Sequence, residues 1–189
     1  NVINLFDIFA PVYEKLHFGA KKTFQRIKNI TEFKQSDVVV DVGGGTGRIA
    51  KFLAGKVKSI TVVDPSLKMI EQCQKHAGIS CLHGQGENLP FENSSIDKII
   101  LVDVFHHIQN QSAAVSEIAR ITKINGKIII GEFNPATFVG KLIVVFERVL
   151  GFNSKFYKPK DLSELFYSNG FKVDVFDKGK AVYYILAEK

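Results

Sequence analysis

The sequence predicts an α/β fold, a mainly parallel seven-stranded sheet with helices on both faces and a C-terminal antiparallel hairpin. Three observations carry this. Apolar strand-like runs alternate with helical patterns from about residue 35 onward, the signature of parallel strands joined by crossover helices. Residues 38–50 read VVVDVGGGTGRIA, a β-branched run closed by Asp41 and followed by four glycines in five positions. The last two strand-like runs are separated only by residues 177–180. A parallel crossover needs about a dozen residues, so these two must pair antiparallel.

Taken in order, residues 1–34 read as N-terminal helices broken at Pro11, a cap ahead of the sheet. Strands are expected at 38–42, 59–63, 79–82, 96–102, 127–132, 172–176 and 181–187, most of them rich in Val, Ile, Phe or Tyr. Helices are expected at 47–54, 66–76, 112–122 and 160–169. Ser66, just after Pro65, has the chemistry of an N-cap, and Gly170 that of a helix stop. Residues 136–152 (ATFVGKLIVVFERVLGF) add a very apolar helix after the fifth strand, within an inserted segment 136–160. It reads as a buried lid. The alternative is a helix lying on a membrane surface, with Lys141 and Arg148 on its polar edge.

A chain of 189 residues suits one domain spanning 1–189. No apolar run reaches the roughly 18–20 residues that cross a bilayer, and no secretory signal is recognisable. Cys73 and Cys81 match no zinc or redox spacing, which points to two thiols in a reducing cytoplasm. The net charge is +6, with Lys15, Lys21, Lys22, Arg26, Lys28 and Lys34 near the N-terminus. A solvated helix face accounts for them. Sparse arginine and no aromatic–basic signature argue against nucleic acid as a partner.

The glycine stretch predicts a nucleotide-like cofactor at the carboxyl end of the first strand, because bare backbone admits a ligand closely and a helix start presents free N–H groups. Gly45-x-Gly47-x-x-Ala50 fits a relaxed dinucleotide fingerprint, and Asp64 lies where a ribose-binding acid belongs. That requirement is shared by NAD and S-adenosylmethionine.

Downstream residues separate the two. Asp41-x-Gly43-x-Gly45-x-Gly47, VVDPSLKMI (62–70), GQGENLPF (84–91), IDKIILVDVFHHI (96–108) and INGKIIIGEF (124–133) resemble successive motifs of the class I S-adenosylmethionine-dependent methyltransferases. The small-molecule branch is the nearest, and NLFDIFAPVYEKL (4–16) resembles the opening of the ubiquinone and menaquinone C-methyltransferases. The terminal hairpin is a mark of the same family. The resemblance implies a three-layer Rossmann-like fold, S-adenosylmethionine as cofactor with S-adenosylhomocysteine as product, and a small apolar or aromatic methyl acceptor. It implies that Asp41 faces the cofactor's ammonium, that Gly43, Gly44, Gly45 and Gly47 cradle it, and that Asp64 and Pro65 meet the ribose. Gln85, Gly86 and Glu87 stand at the adenine segment, with Gln85 replacing the family's usual Asp as an uncharged acceptor. Val102 and Asp103 end the fourth strand beside the transfer point, and Tyr13 resembles a tyrosine that closes over the cofactor.

His106 and His107 are the candidate proton acceptors, since imidazole titrates near working pH. No metal ligand set is visible in the spacing. An NAD-binding oxidoreductase and a catalytically silent S-adenosylmethionine-binding module are the competing functions.

Overall fold

The computed structural model describes residues 19–189. Its elements are α1 (Ala20–Ile30), β1 (Val38–Val42), a 3-10 turn (Ala50–Phe52), β2 (Ser59–Asp64), α2 (Leu67–Cys73), β3 (Ser80–His83), β4 (Ile96–Val102), a second 3-10 turn (Phe105–His107), α3 (Gln111–Ile121), β5 (Thr122–Phe133), α4 (Phe138–Val149), α5 (Pro159–Tyr167), β6 (Lys172–Phe176) and β7 (Val182–Glu188). One seven-stranded sheet runs in the order β3-β2-β1-β4-β5-β7-β6. The pairs β3·β2, β2·β1, β1·β4 and β4·β5 are parallel, while β7 is antiparallel to both β5 and β6. The expected hairpin is therefore present, with β7 inserted between β5 and β6.

Alternation along the strands builds two cores. Val40, Ile99, Ile128 and Ile130 face one side, where Val115, Ile118, Leu162 and Phe166 of α3 and α5 cover them. Val39, Ile100 and Ile129 face the other, against Phe24 and Ile27 of α1 and Ile70 of α2. Both faces are covered, so the central strands read as unbroken apolar runs in sequence. Caps set the helix starts: Ser66 Oγ accepts from Met69 N–H at 3.2 Å, and the Asn110 side chain accepts from Ala113 N–H at 3.1 Å.

Four expectations change. The helix expected at 47–54 is one 3-10 turn with mixed bonding: Leu53 N–H donates to Ala50 C=O and Lys51 N–H to Gly47 C=O. Gly47 and Gly55 flank the stretch in the left-handed region, at φ 79° and 72°, and leave no room for a longer helix. β5 starts five residues before the expected 127, through an irregularity at Asn125 (φ 61°) where its pairing with β4 shifts register. The apolar helix 136–152 forms as α4, but it is not buried. Phe138, Val145, Phe146 and Val149 are exposed, and only Gly140 in it is fully buried.

The fourth change concerns the cysteines, which are not two thiols but a disulfide. The end of α2 and the edge strand β3 bring their Cα atoms to 6.2 Å across a sequence separation of 8. Spacing rules for metal sites could not reveal a pairing made by the α2–β3 turn. Among the described residues no helix is long and apolar enough to cross a membrane. Tyr13, with Phe6, Phe9 and Phe18, lies outside the described residues.

Candidate active site

The strand order reverses between β1 and β4, and a cleft opens at the carboxyl ends of β1, β2 and β4, where crossover loops leave the sheet in opposite directions. Its space is about 660 Å³ including the open mouth. Asp41, Gly43, Gly44, Gly45, Asp64, Pro65, Val102, Asp103 and His107 line it, so most of the residues expected from sequence meet there. Gly47 does not line it; a Cβ there would lie 3.3 Å from Cys73 Sγ, behind the cradle.

Two glycines are sterically obligatory. Gly43 has φ 66°, and a Cβ there would lie 2.0 Å from Val104 Cγ2. A Cβ on Gly44 would lie 2.6 Å from Asp41 Cγ. The loop thus folds directly over the Asp41 carboxyl and against the loop after β4. Gly43→Ala is expected to destabilise the protein by roughly 2–4 kcal/mol, from overpacking and a strained φ. It should also weaken nucleoside binding at least tenfold. Thermal unfolding and product titration would check this, and unchanged values for both would refute the steric reading.

Asp41 is buried, and among the described residues its Oδ2 has no hydrogen-bond partner. Burial pushes its pKa up to about 7; Arg48 opposes the rise and Asp64 adds to it. Arg48, itself buried, approaches Asp103 at 3.8 Å. Asp103 takes φ 60°, a left-handed conformation rare outside glycine and concentrated at functional sites. A buried carboxyl with one oxygen left open, beneath a bare-backbone cradle, fits a ligand that carries an ammonium group.

Asp64 ends β2 with both carboxylate oxygens engaged: Oδ2 accepts from Gly45 N–H and Oδ1 from Ser66 N–H, each at 2.9 Å. A carboxylate oxygen has two lone pairs, so one that accepts a backbone N–H can also accept from a hydroxyl. Asp64 therefore ties the glycine loop to the start of α2 and still faces the cleft. Gln85, Gly86 and Glu87 do not line the cleft. They follow β3, one strand further out, where Gln85 is exposed and Glu87 Oε1 accepts from Asn110 N–H at 3.1 Å. That places them at the rim beside Asp64, whose C=O accepts from Gly84 N–H.

The two histidines differ. His106 is buried, and its Nδ1 lies 2.6 Å from Glu132 Oε2. Burial alone would lower its pKa, but the charge and hydrogen bond of Glu132, helped by Glu147 and Asp103, hold it up at about 10. His106 does not line the cleft and is not placed to take a proton from an acceptor. His107 does border the cleft, with Nδ1 3.0 Å from Ser154 Oγ. Burial, then the neighbouring His106 charge, push its pKa down to about 4. Glu132 Oε1 also accepts from Phe105 N–H at 2.7 Å, which shapes the turn carrying both rings.

Sequence reasoning missed Arg48, Glu132 and Glu147. Glu132 stands in the buried strand IIIGEF and Glu147 in the apolar helix FVGKLIVVFERV. A carboxylate set within an apolar run was the available signal.

A family described as a methyltransferase domain matches residues 40–130. An uncharacterized protein of Methanocaldococcus jannaschii is 29% identical over 90% of this chain and 82% of its own length. A ubiquinone/menaquinone biosynthesis C-methyltransferase of Rubrivivax gelatinosus is 33% identical over 51% of this chain, which spans only 39% of that enzyme. Among solved structures, a S-adenosylmethionine-dependent methyltransferase of Thermotoga maritima, described as a possible histamine N-methyltransferase, aligns with a TM-score of 0.81 at 26% identity. That alignment covers 97% of this chain and 98% of the other. Fold, cleft and sequence relationships converge on one likeness: the chain is similar to the class I S-adenosylmethionine-dependent methyltransferases, with a methyltransferase-domain match over residues 40–130.

Proposed function

We propose that the protein moves a methyl group from S-adenosylmethionine to a small, apolar or aromatic acceptor. The observation that carries this is the buried Asp41 beneath the Gly43–Gly45 backbone, whose Oδ2 has no hydrogen-bond partner among the described residues and which lines the same cleft as Asp64. The sulfonium supplies an electrophilic methyl carbon and a neutral thioether leaving group. Asp64 accepts from the ribose hydroxyls, Asp41 faces the ammonium, and the adenine lies toward Gln85, Gly86 and Glu87. Val102, Asp103 and Val104 form the wall beside the transferred methyl. Holding nucleophile, carbon and sulfur in line supplies up to roughly 7–11 kcal/mol of barrier reduction, so no dedicated base is required.

The acceptor class rests on the surroundings of the cleft. Ile49, Met69, Val102 and Val104 give it an apolar wall. Phe152 lies 5.3 Å from the His107 ring, and Phe156 stacks on His106 at 4.3 Å. A relative named for ubiquinone and menaquinone biosynthesis supports a ring-bearing acceptor. Residues 136–160 act as a lid over this side.

The test is calorimetric titration with S-adenosylhomocysteine, followed by transfer of radiolabelled methyl to a panel of aromatic phenols, amines and quinols. Product binding with label in one acceptor supports the reading. Folded protein that binds no S-adenosylhomocysteine overturns it, and binding without transfer to any acceptor favours the silent module.

A further inference from the structure

We propose that His106, His107 and Glu147 form a binding site for one divalent first-row transition metal ion of the zinc class, at the edge of the cleft.

The three ligand atoms already converge. His106 Nε2 lies 3.4 Å and His107 Nε2 3.9 Å from Glu147 Oε1, and all three lie within 4.8 Å of one another. Metal–nitrogen and metal–oxygen bonds of about 2.0–2.2 Å on a tetrahedron put neighbouring ligands about 3.3–3.5 Å apart. Side-chain shifts of a few tenths of an ångström to about one ångström would close the set.

The other ring nitrogens are already committed. His106 Nδ1 is held by the Glu132 carboxylate, and His107 Nδ1 is held by the Ser154 hydroxyl. Such partners on the far nitrogen orient metal-binding histidines and direct Nε2 at the ion. Within the cluster, His106 Nε2 and Glu147 Oε2 are buried yet lack any hydrogen-bond partner among the described residues.

The placement of Glu147 argues the same way. In α4 the less exposed stripe is Gly140, Ile143, Val144 and Glu147, while Phe138, Leu142, Val145, Phe146 and Val149 face outward. Apolar burial alone would turn the helix to bury phenylalanine and expose glutamate. A ligand that needs the carboxylate inside accounts for the orientation. Two imidazoles and one carboxylate suit zinc, cobalt, nickel or iron rather than magnesium or calcium, which take oxygen ligands. The pattern escapes spacing rules because Glu147 comes from another element, 40 residues along the chain from His107.

A metal here would pin α4 to the turn after β4. His107 borders the cleft, so the ion would sit beside it. The inference rests on the ligand geometry and not on the methyltransferase reading.

The test uses the full chain, stripped with a chelator and titrated with Co²⁺ by absorption spectroscopy and calorimetry, then with competing Zn²⁺. One Co²⁺ per chain, displaced by Zn²⁺, is expected. His107→Asn and Glu147→Gln should each weaken binding more than a hundredfold, and Ser154→Ala by roughly tenfold. Circular dichroism and thermal unfolding report the folding of each variant. In the unaltered protein Zn²⁺ should raise the thermal midpoint, a readout that needs no substitution. Failure of the unaltered protein to bind Co²⁺, or equal binding by His107→Asn and Glu147→Gln, overturns the proposal in favour of a plain ion-pair cluster. Co²⁺ binding without S-adenosylhomocysteine binding would overturn the methyltransferase reading and leave the metal site standing.

Discussion

Asp64→Ala is expected to reduce affinity for S-adenosylhomocysteine by at least a hundredfold and to lower stability by about 2–4 kcal/mol. The substitution removes the acceptor for two backbone N–H groups, on Gly45 and Ser66. Leaving a buried donor without a partner costs roughly 1–3 kcal/mol each. It also removes the only carboxylate at the end of β2 available to ribose hydroxyls, and hydrogen bonds to a charged group contribute roughly 1.5–3 kcal/mol apiece. Two such bonds correspond to a hundredfold or more. Asp64→Asn should fall between: one carbonyl oxygen still accepts, while the amide NH₂ meets a backbone donor. Calorimetry with the product and thermal unfolding measure the two effects separately. Product affinity within threefold of the unaltered protein for Asp64→Ala would remove the ribose role from this residue.

Asp41 should impose a pH dependence of two opposite kinds. Its pKa stands at about 7 in the folded protein against an ordinary value of 3.8, chiefly through burial, with Arg48 and Asp64 the charged groups facing it and Asp103 paired to Arg48 beyond. The folded state therefore holds a proton that the unfolded chain has lost between about pH 4 and 7. By linkage, this residue's effect on stability becomes steadily less favourable as pH rises through that window. The full difference is at most ~4 kcal/mol. Asp41→Asn removes the slope, so the variant should gain stability relative to the parent from pH 5 to pH 8. Product binding runs the other way. An ammonium needs the ionised carboxylate, so affinity should climb up to about tenfold per pH unit below 7, level off above it, and lose that dependence in Asp41→Asn. Denaturant melts and calorimetry at pH 5, 6, 7 and 8 supply both curves. A stability difference that stays flat with pH would show that Asp41 is ionised throughout.

The parts of the site legible in sequence are those built within one strand end and its loop. Asp41 and the glycines after it share a single β1 turn, and a run of Gly at that point has few other physical uses. Asp64 was legible because a parallel crossover returns the chain beside β1 at a predictable distance, in register Asp41 with Val62 and Val42 with Val63. Strands 38–42, 96–102 and 172–176 were readable to the residue because their apolar runs end at Gly, Asp or turn-forming positions.

What sequence obscured was made by elements far apart in the chain. The Cys73–Cys81 bond depends on how α2 ends against β3. The roles of His106 and His107 were open in sequence, since adjacent histidines look alike. They separate in the fold because Glu132 from β5 reaches the His106 ring, while burial and the His106 charge act on His107. The outward apolar face of α4 was equally invisible, because helical periodicity shows which residues share a face but not which face the protein covers.

Local pattern thus determined the α/β architecture, the antiparallel ending and the cofactor cradle, since period, turn chemistry and bare backbone act over a few residues. Tertiary structure alone decided the charge of each histidine, the near-neutral titration of Asp41 and the inward turn of Glu147. Those properties arise from burial and from charges that neighbouring strands and helices bring within a few ångströms, and no stretch of chain encodes them by itself.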